Sequence, residues 1–151
     1  MRIPADVLVR TGYRLPTDAE WEYGCRSGTV TGRYYGLTTD LLGKYAWYQA
    51  NSQERAWSCG SLLPNDLGLF DMLGNMYEWC QDRTDAARPM RKGLYYDIIQ
   101  TSSNIIDKHP RVLRGGTFSL LPALVRSADR YRNLPANRSI FYGFRIARTY
   151  N

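Results

Sequence analysis

Few residues of this 151-residue chain could do chemistry, and those that could are not grouped into a familiar constellation. A zinc or non-haem iron site needs several histidine or cysteine ligands at suitable spacing. The chain has one histidine, His109, and it directly precedes a proline. Cys80 could act as a nucleophile, but no histidine lies near it in the sequence, so a buried structural thiol is favoured. No GxSxG, P-loop or GxGxxG motif is present.

The three cysteines, Cys25, Cys59 and Cys80, are an odd and sparse set without a CxxC pair. Such a set does not indicate a disulfide framework. It predicts reduced, buried thiols in a cytoplasmic protein. The first residues carry no apolar stretch of the kind found in signal peptides, which agrees with that localisation.

The carboxylates Asp71 and Glu78 flank a turn at Gly74-Asn75 that could direct backbone carbonyls inward. Hard oxygen ligands from side chains and backbone are those that Ca²⁺ prefers. This spacing alone is also typical of a turn whose polar groups bond the backbone, and on spacing alone that interpretation is favoured.

The elements that must position these residues are short. Thr17 followed by Glu20 three residues later forms a capping-box pattern, which predicts a helix with Trp21 and Cys25 on one face. A shorter helical turn is predicted near 40–42, short buried strands near 111–113 and 143–147, and a long surface loop over 83–110.

Length and composition favour one domain with a single core and exclude several classes. No apolar run approaches the roughly 18–20 residues of a membrane helix. The abundant aromatic residues and glycine-punctuated segments argue against a disordered chain. We therefore expect one compact α+β domain, rich in irregular structure, over residues 1–151.

Five blocks together resemble the formylglycine-generating enzyme (sulfatase-modifying factor) family. In chain order they are GYRLPTDAEWEYGCRSG at 12–28, GLFDMLGNMYEWCQD at 68–82, RVLRGGT at 111–117, RSADR at 126–130 and GFR at 143–145. The resemblance implies an irregular variant of the C-type lectin-like fold. It also implies that the N-terminal part of the family domain is absent from this chain.

The resemblance further implies a structural Ca²⁺ site in the second block. The implied ligands are the side chains of Asp71 and Glu78 and the carbonyls of Gly74 and Met76. A second calcium site of the family falls where this chain is shortened, around 51–57, and is not expected here.

The family's oxidase chemistry is not expected. Formylglycine-generating enzymes use two cysteines, five residues apart, that capture copper and react with a substrate thiol. Counted from Gly115-Gly116, those positions hold Leu120 and Val125, neither of which can bind a metal or form a thiolate. Related iron-dependent sulfoxide synthases need a histidine set that this chain lacks. The chain is therefore predicted to be no enzyme and to bind neither copper nor iron.

Apolar and aromatic residues without helix or strand period lie between the family motifs of the last 40 residues, in the pattern of a contact surface. Aromatic residues are favoured at the centre of interfaces. The predicted ligand-binding face, with a protein of unknown identity as its ligand, comprises Phe118, Ser119, Leu120, Leu121, Leu124, Asp129, Tyr131, Leu134, Ile140, Phe141 and Tyr142.

Residues 115–151 contain no Lys, Glu, Gln, Met or Trp, the five amino acids that codons ending in a pyrimidine cannot encode. Variable proteins of diversity-generating retroelements show this signature, because their mutagenesis is directed at adenines. Several of them resemble the same family, with variation running from near RGG to near GFR. Residues 115–145 are therefore a candidate variable ligand-binding segment.

The sequence leaves two alternatives open. One is a static sensor or recognition module of a larger, for example kinase-linked, protein. The other is an enzyme of the family with altered chemistry.

Charge is uneven along the chain, with a net of −1 over residues 1–110 and +7 over 111–151. The net charge of +7 comes from eight arginines and one acid, since residues 111–151 contain no lysine. Such a cluster could neutralise phosphates. Several of these arginines sit in family motifs, however, so we expect acidic partners for them in the first 110 residues, such as Glu20, Glu22, Asp71 and Asp82. A nucleic-acid ligand is therefore disfavoured.

Overall fold

The computed structural model describes residues 12–84 and 109–149, which form an α+β arrangement of short elements joined by long irregular stretches. The expected α+β class is confirmed by these elements. In chain order the helices and strands are β1 Gly12–Arg14, α1 Asp18–Arg26, α2 Leu42–Tyr45, β2 Tyr77–Arg83, β3 Arg111–Arg114, β4 Arg130–Asn133, β5 Tyr142–Gly143 and β6 Ala147–Thr149.

Helix α1 begins at the predicted capping box. The hydroxyl of Thr17 accepts from the backbone N–H of Glu20 at 3.1 Å, and the Glu20 carboxylate accepts from the backbone N–H of Thr17 at 2.8 Å. The helix ends at Ser27, which takes a left-handed conformation. Trp21 and Cys25 both lie on its buried face, as the spacing predicted.

The main sheet has four strands in the order β4-β3-β2-β5. The first two pairings are antiparallel, while β5 runs parallel to β2. A register irregularity between Trp79 and Arg83 bends β2 near its end. A second, two-stranded sheet pairs β1 with β6, which brings the two ends of the described chain together.

The core lies between α1, α2 and the main sheet, with a contribution from the loop after β3. Its members are buried aromatic, aliphatic and thiol side chains: Trp21, Cys25, Tyr34, Leu42, Ala46, Met72, Leu73, Cys80, Val112 and Val125. Each buried side chain of this size contributes about 1.5–3 kcal/mol by leaving water. The irregular segments are therefore held by a real core rather than by long regular elements.

Several sequence predictions need correction. The short helix runs over Leu42–Tyr45 rather than 40–42. The predicted buried strand at 143–147 is interrupted by three residues between β5 and β6, and it is not buried, since Phe144 and Ile146 are exposed. The prediction of buried thiols holds for Cys25 and Cys80 but is wrong for Cys59, which is exposed. Most of the loop predicted at 83–110 lies outside the described residues, and Arg83 itself ends β2.

Strand β2 was not predicted as a strand. Its alternate positions Glu78 and Cys80 are buried, while the intervening residues are partly exposed. The buried glutamate hides the apolar alternation on which strand prediction depends. Within the described ranges, no helix is both long and apolar enough to span a membrane.

Candidate ligand-binding face

The strand register divides the side chains of the main sheet between two faces. Glu78, Arg114 and Arg130 are neighbours across β2, β3 and β4. Because successive side chains alternate between faces, the next row, Trp79, Leu113 and Tyr131, lies on the opposite side. The first face packs against α1, and the second carries the aromatic rings described below.

A buried ion-pair network fixes the loop after β3 to α1. Arg114, which has no exposed surface, donates to the carboxylates of Asp18 and Glu22 and also to the Ser127 carbonyl at 2.9 Å. Arg130 bonds the other Asp18 oxygen at 2.7 Å. Burial opposes the charge of Arg114, but the attraction of the two acids prevails and raises its pKa. The expectation that motif arginines pair with acids of the first 110 residues is therefore met at these positions.

Arg126 does not follow that expectation. Its guanidinium pairs with Asp129 three residues later, with Nη2 2.6 Å from Oδ1. The reason is local, because the turn between the loop and β4 places the two side chains side by side at the surface. Asp129, predicted as a contact residue of the ligand face, therefore lies at its rim in a partly exposed ion pair.

Three aromatic pairs join the segment after β3 to the sheet and to each other. The rings of Tyr77 and Tyr131 are stacked, with centroids 5.2 Å apart. Trp79 meets Tyr142 edge to face at 5.5 Å, and Phe118 packs against Phe141 at 5.2 Å. Burial and the nearby Asp129 raise the pKa of the Tyr77 phenol to about 12, so it stays protonated and can donate a hydrogen bond at neutral pH. These three ring contacts pack the segment after β3 against the sheet and against itself.

The predicted face residues separate by exposure. Ser119 is exposed, and so are five large apolar side chains, whose exposed fractions run from 38% at Leu134 to 73% at Ile140: Leu121, Leu124, Tyr131, Leu134 and Ile140. Leu120, Phe141 and Tyr142 are partly buried. Phe118 is only 3% exposed, so it supports the surface from beneath. We use "ligand face" below for the six exposed residues.

Sequence reasoning missed the residues outside the last 40 positions that adjoin this surface. Tyr77 and Trp79 of β2 lie under Tyr131 and Tyr142. The alternation Tyr-x-Trp in β2 is the sequence signal that could have identified them.

A second aromatic stack stands beside the loop at Phe118. Trp47 and Trp57 are stacked 4.5 Å apart, with the guanidinium of Arg55 4.1 Å from the Trp57 ring. Asn75 ties this stack to the loop, because its side-chain oxygen accepts from Trp57 N–H at 2.9 Å and its backbone carbonyl accepts from Phe118 N–H at 2.8 Å. The loop is therefore anchored on two sides.

Leu120 and Val125, predicted to stand at the positions of the family's cysteine pair, have apolar and packed side chains. Val125 is fully buried in the core, and Leu120 packs against that core. Burial raises the pKa of Cys25 to about 11 and that of Cys80 further, so neither thiol is ionised near neutral pH. Among the described residues, no group of three or more His, Cys, Asp or Glu side chains is placed to hold a metal.

Three of the four predicted calcium ligands, Asp71, Gly74 and Met76, lie in the irregular segment before β2, and the fourth, Glu78, is the second residue of that strand. Gly74 has φ +72°, and a Cβ there would meet the Trp47 carbonyl at 2.2 Å, so only glycine fits. The Asp71 carboxylate accepts from Gly60 N–H at 2.7 Å. Both oxygens of Glu78 are bonded by a guanidinium. As arranged, the residues do not present an uncompensated carboxylate cage for a divalent cation, and the calcium assignment stays a prediction.

Comparison with known proteins agrees with this geometry. A model of the sulfatase-modifying factor enzyme 1-like domain matches residues 4–150. The chain is 34% identical over 147 residues to a serine/threonine-protein kinase pkn1 of Chlamydia pneumoniae, covering 93% of this chain and 22% of that protein. It is 30% identical over 168 residues to a formylglycine-generating enzyme of Streptomyces coelicolor, covering 90% of this chain and 46% of the enzyme.

Solved structures give the same likeness. Treponema denticola variable protein 1 matches with a TM-score of 0.75 and 32% identity over 90% of this chain and 47% of its own. PvdO from Pseudomonas aeruginosa matches with a TM-score of 0.71 and 27% identity over 91% of this chain and 53% of its own. The chain thus spans about a fifth of the kinase and about half of the other relatives it matches.

Proposed function

This chain belongs to the family of sulfatase-modifying factor enzyme 1-like domains, and we propose that within the family it is a non-catalytic domain that binds a protein ligand. The observation that carries the proposal is the ligand face itself. Five large apolar side chains stand exposed on β4 and on the loops around it, and buried ion pairs and aromatic contacts hold this segment to the rest of the fold. Binding residues on loops over a rigid scaffold are a common arrangement.

The lack of a cysteine in the segment where the family carries its reactive pair supports the non-catalytic part of the proposal. The sequence holds no cysteine after Cys80, and the positions aligned with the family's reactive pair are Leu120 and Val125. The rival is an enzyme of the family with altered chemistry. An assay tests the unaltered family reaction: the chain, copper and a cysteine-containing peptide should yield no aldehyde detectable with a hydrazide probe, while the Streptomyces coelicolor enzyme serves as the positive control. Aldehyde formation by this chain contradicts the proposal.

We further propose that the chain is the variable target-recognition protein of a diversity-generating retroelement. Its support is the likeness to Treponema denticola variable protein 1 and the restricted residue set of 115–151. The ligand face lies wholly inside the candidate variable segment 115–145, while its supports Tyr77 and Trp79 lie outside. In this arrangement the exposed positions can change without altering the supports.

A static recognition module of a larger protein is the second candidate. It is favoured by the likeness to the chlamydial kinases, of which this chain would make up about a fifth. Sequencing the locus separates the two. If the chain is a variable protein, we expect a neighbouring reverse-transcriptase gene. We also expect a template repeat that differs from codons 115–145 at adenines. A locus with neither contradicts diversification and leaves the binding function to be tested by itself.

A protein ligand is favoured over nucleic acid because the motif arginines are engaged. Arg114, Arg130 and Arg145 all donate to carboxylates of the scaffold. Their charge is therefore compensated inside the fold and is not available to a phosphate backbone. The ligand face itself is apolar and aromatic, as is the centre of protein interfaces.

A further inference from the structure

Glu78 and Arg145 form a two-point ion pair in the position where the family resemblance implied a calcium ion. Arg145 Nη2 lies 2.7 Å from Glu78 Oε1, and Nε bonds Oε2. Trp21 Nε1 donates to the same Oε2 at 2.6 Å. The Glu78 carboxylate therefore accepts three hydrogen bonds, all from donors within the chain.

The same guanidinium reaches the start of the predicted calcium loop. Arg145 Nη2 also donates to the Phe70 carbonyl at 3.0 Å, one residue before Asp71. Burial opposes the charge of Arg145, but bonding to Glu78 and attraction from Glu78 and Asp71 raise its pKa. Both carboxylates of the predicted ligand set thus act on this one side chain.

We infer that Arg145 is the resident cation of the 71–78 turn and that this protein binds no calcium there. A divalent ion bonded to Glu78 would lie within a few ångströms of a fully charged guanidinium in a half-buried site, where repulsion between like charges is strong. The pairing also has a positional effect. Arg145 follows β5 by two residues, so it holds the end of segment 115–145 against β2 without a metal.

The experiment uses terbium, which takes the place of Ca²⁺ and luminesces when a nearby tryptophan transfers energy to it. Trp21 is in hydrogen-bond contact with Glu78 and would act as that donor. We expect no saturable, calcium-displaceable luminescence from the wild-type chain. Arg145→Gln, which frees Glu78, is expected to gain a signal that Ca²⁺ displaces and Mg²⁺ does not, because Ca²⁺ accepts flexible oxygen cages and Mg²⁺ does not.

The matched control is Arg138→Gln, which removes the same charge from an exposed arginine and should gain no signal. The double variant Arg145→Gln, Glu78→Gln should lose the gained signal. A calcium-displaceable signal from the wild-type chain overturns the inference, and so does a folded Arg145→Gln variant without one.

If Arg145→Gln does not fold, calorimetry of the wild-type chain decides. We expect the same thermal midpoint in CaCl₂ and in EDTA, and a rise of several degrees with calcium overturns the inference. Neither readout involves the protein ligand, so failure here is distinguishable from failure of the proposed function.

Discussion

The ring of Tyr77 lies nearly parallel to the ring of Tyr131, with centroids 5.2 Å apart and planes inclined by 19°. Tyr77 belongs to strand β2, outside the candidate variable segment, and Tyr131 belongs to β4, inside it. On the intervening strand β3, Leu113 is in register with Tyr131 and with Trp79 of β2, and it is fully buried. An exposed residue of the ligand face therefore rests directly on a residue of the sheet outside that segment.

The Tyr77–Tyr131 contact predicts an energetic coupling between the two strands. In a double-mutant cycle with Tyr77→Ala and Tyr131→Ala, urea unfolding should give a coupling free energy of about 0.5–1.5 kcal/mol. The matched control is a cycle between Tyr131 and Tyr23, which is exposed on α1 and should show no coupling. Additive effects of the Tyr77 and Tyr131 substitutions would mean that the stack is not formed in solution.

The buried arginine should matter far more to stability than the exposed one. Arg114→Ala removes the fully buried partner of Asp18 and Glu22. Only the partly exposed Arg130 and Arg26 then remain to pair with them, so we expect the free energy of unfolding to fall by about 3 kcal/mol. Arg126→Ala breaks an exposed pair and should cost about 0–1 kcal/mol. Denaturant unfolding of both variants checks this, and similar losses at the two positions would contradict the buried network.

Glu22 should make the stability of the fold depend on pH in the acid range. Burial opposes its charge, but hydrogen bonding and attraction from Arg114, with help from Arg26 and Arg130, lower its pKa below 4.5. A carboxylate with a depressed pKa stabilises the fold above its unfolded pKa, and that contribution is lost as the pH falls through the folded pKa. Between about pH 5 and pH 3, the thermal midpoint of Glu22→Gln should fall less than that of the wild type. Parallel curves would show that Glu22 does not contribute.

The ligand face should tolerate substitution. Leu121→Ser and Ile140→Ser alter exposed side chains on loops, so each should change the free energy of unfolding by no more than about 0.5 kcal/mol. Leu113→Ala removes buried methyl groups beneath the same surface and should cost about 2–5 kcal/mol. Large losses from both serine substitutions in urea unfolding would argue that these positions serve packing rather than contact.

Local signals in the sequence were sufficient for some parts of this fold. The Thr17 and Glu20 capping box fixes the start of α1, because both partners lie within four residues. The short buried strand predicted near 111–113 is likewise confirmed by β3, which runs over Arg111–Arg114. Pattern and composition gave the α+β class, and the family motifs added the C-type lectin-like type, which pattern alone could not give for so irregular a chain.

The ion-pair partners could not be predicted in the same way. Arg114 pairs with Asp18 across 96 positions, and Arg145 pairs with Glu78 across 67. Sequence identifies the charges but not which strand register brings them together. The pairing of Arg145 with Glu78, a residue predicted as a metal ligand, follows from the parallel β2–β5 contact, which no periodicity indicates.

Panning against a random twelve-residue peptide library on phage tests the central claim most directly. The immobilised wild-type chain and a Tyr23→Asp control should enrich the same peptide consensus, while the folded double variant Leu121→Asp, Ile140→Asp should lose it. Equal enrichment by the double variant, or enrichment by none of the three proteins, would contradict a ligand-binding face at these loops.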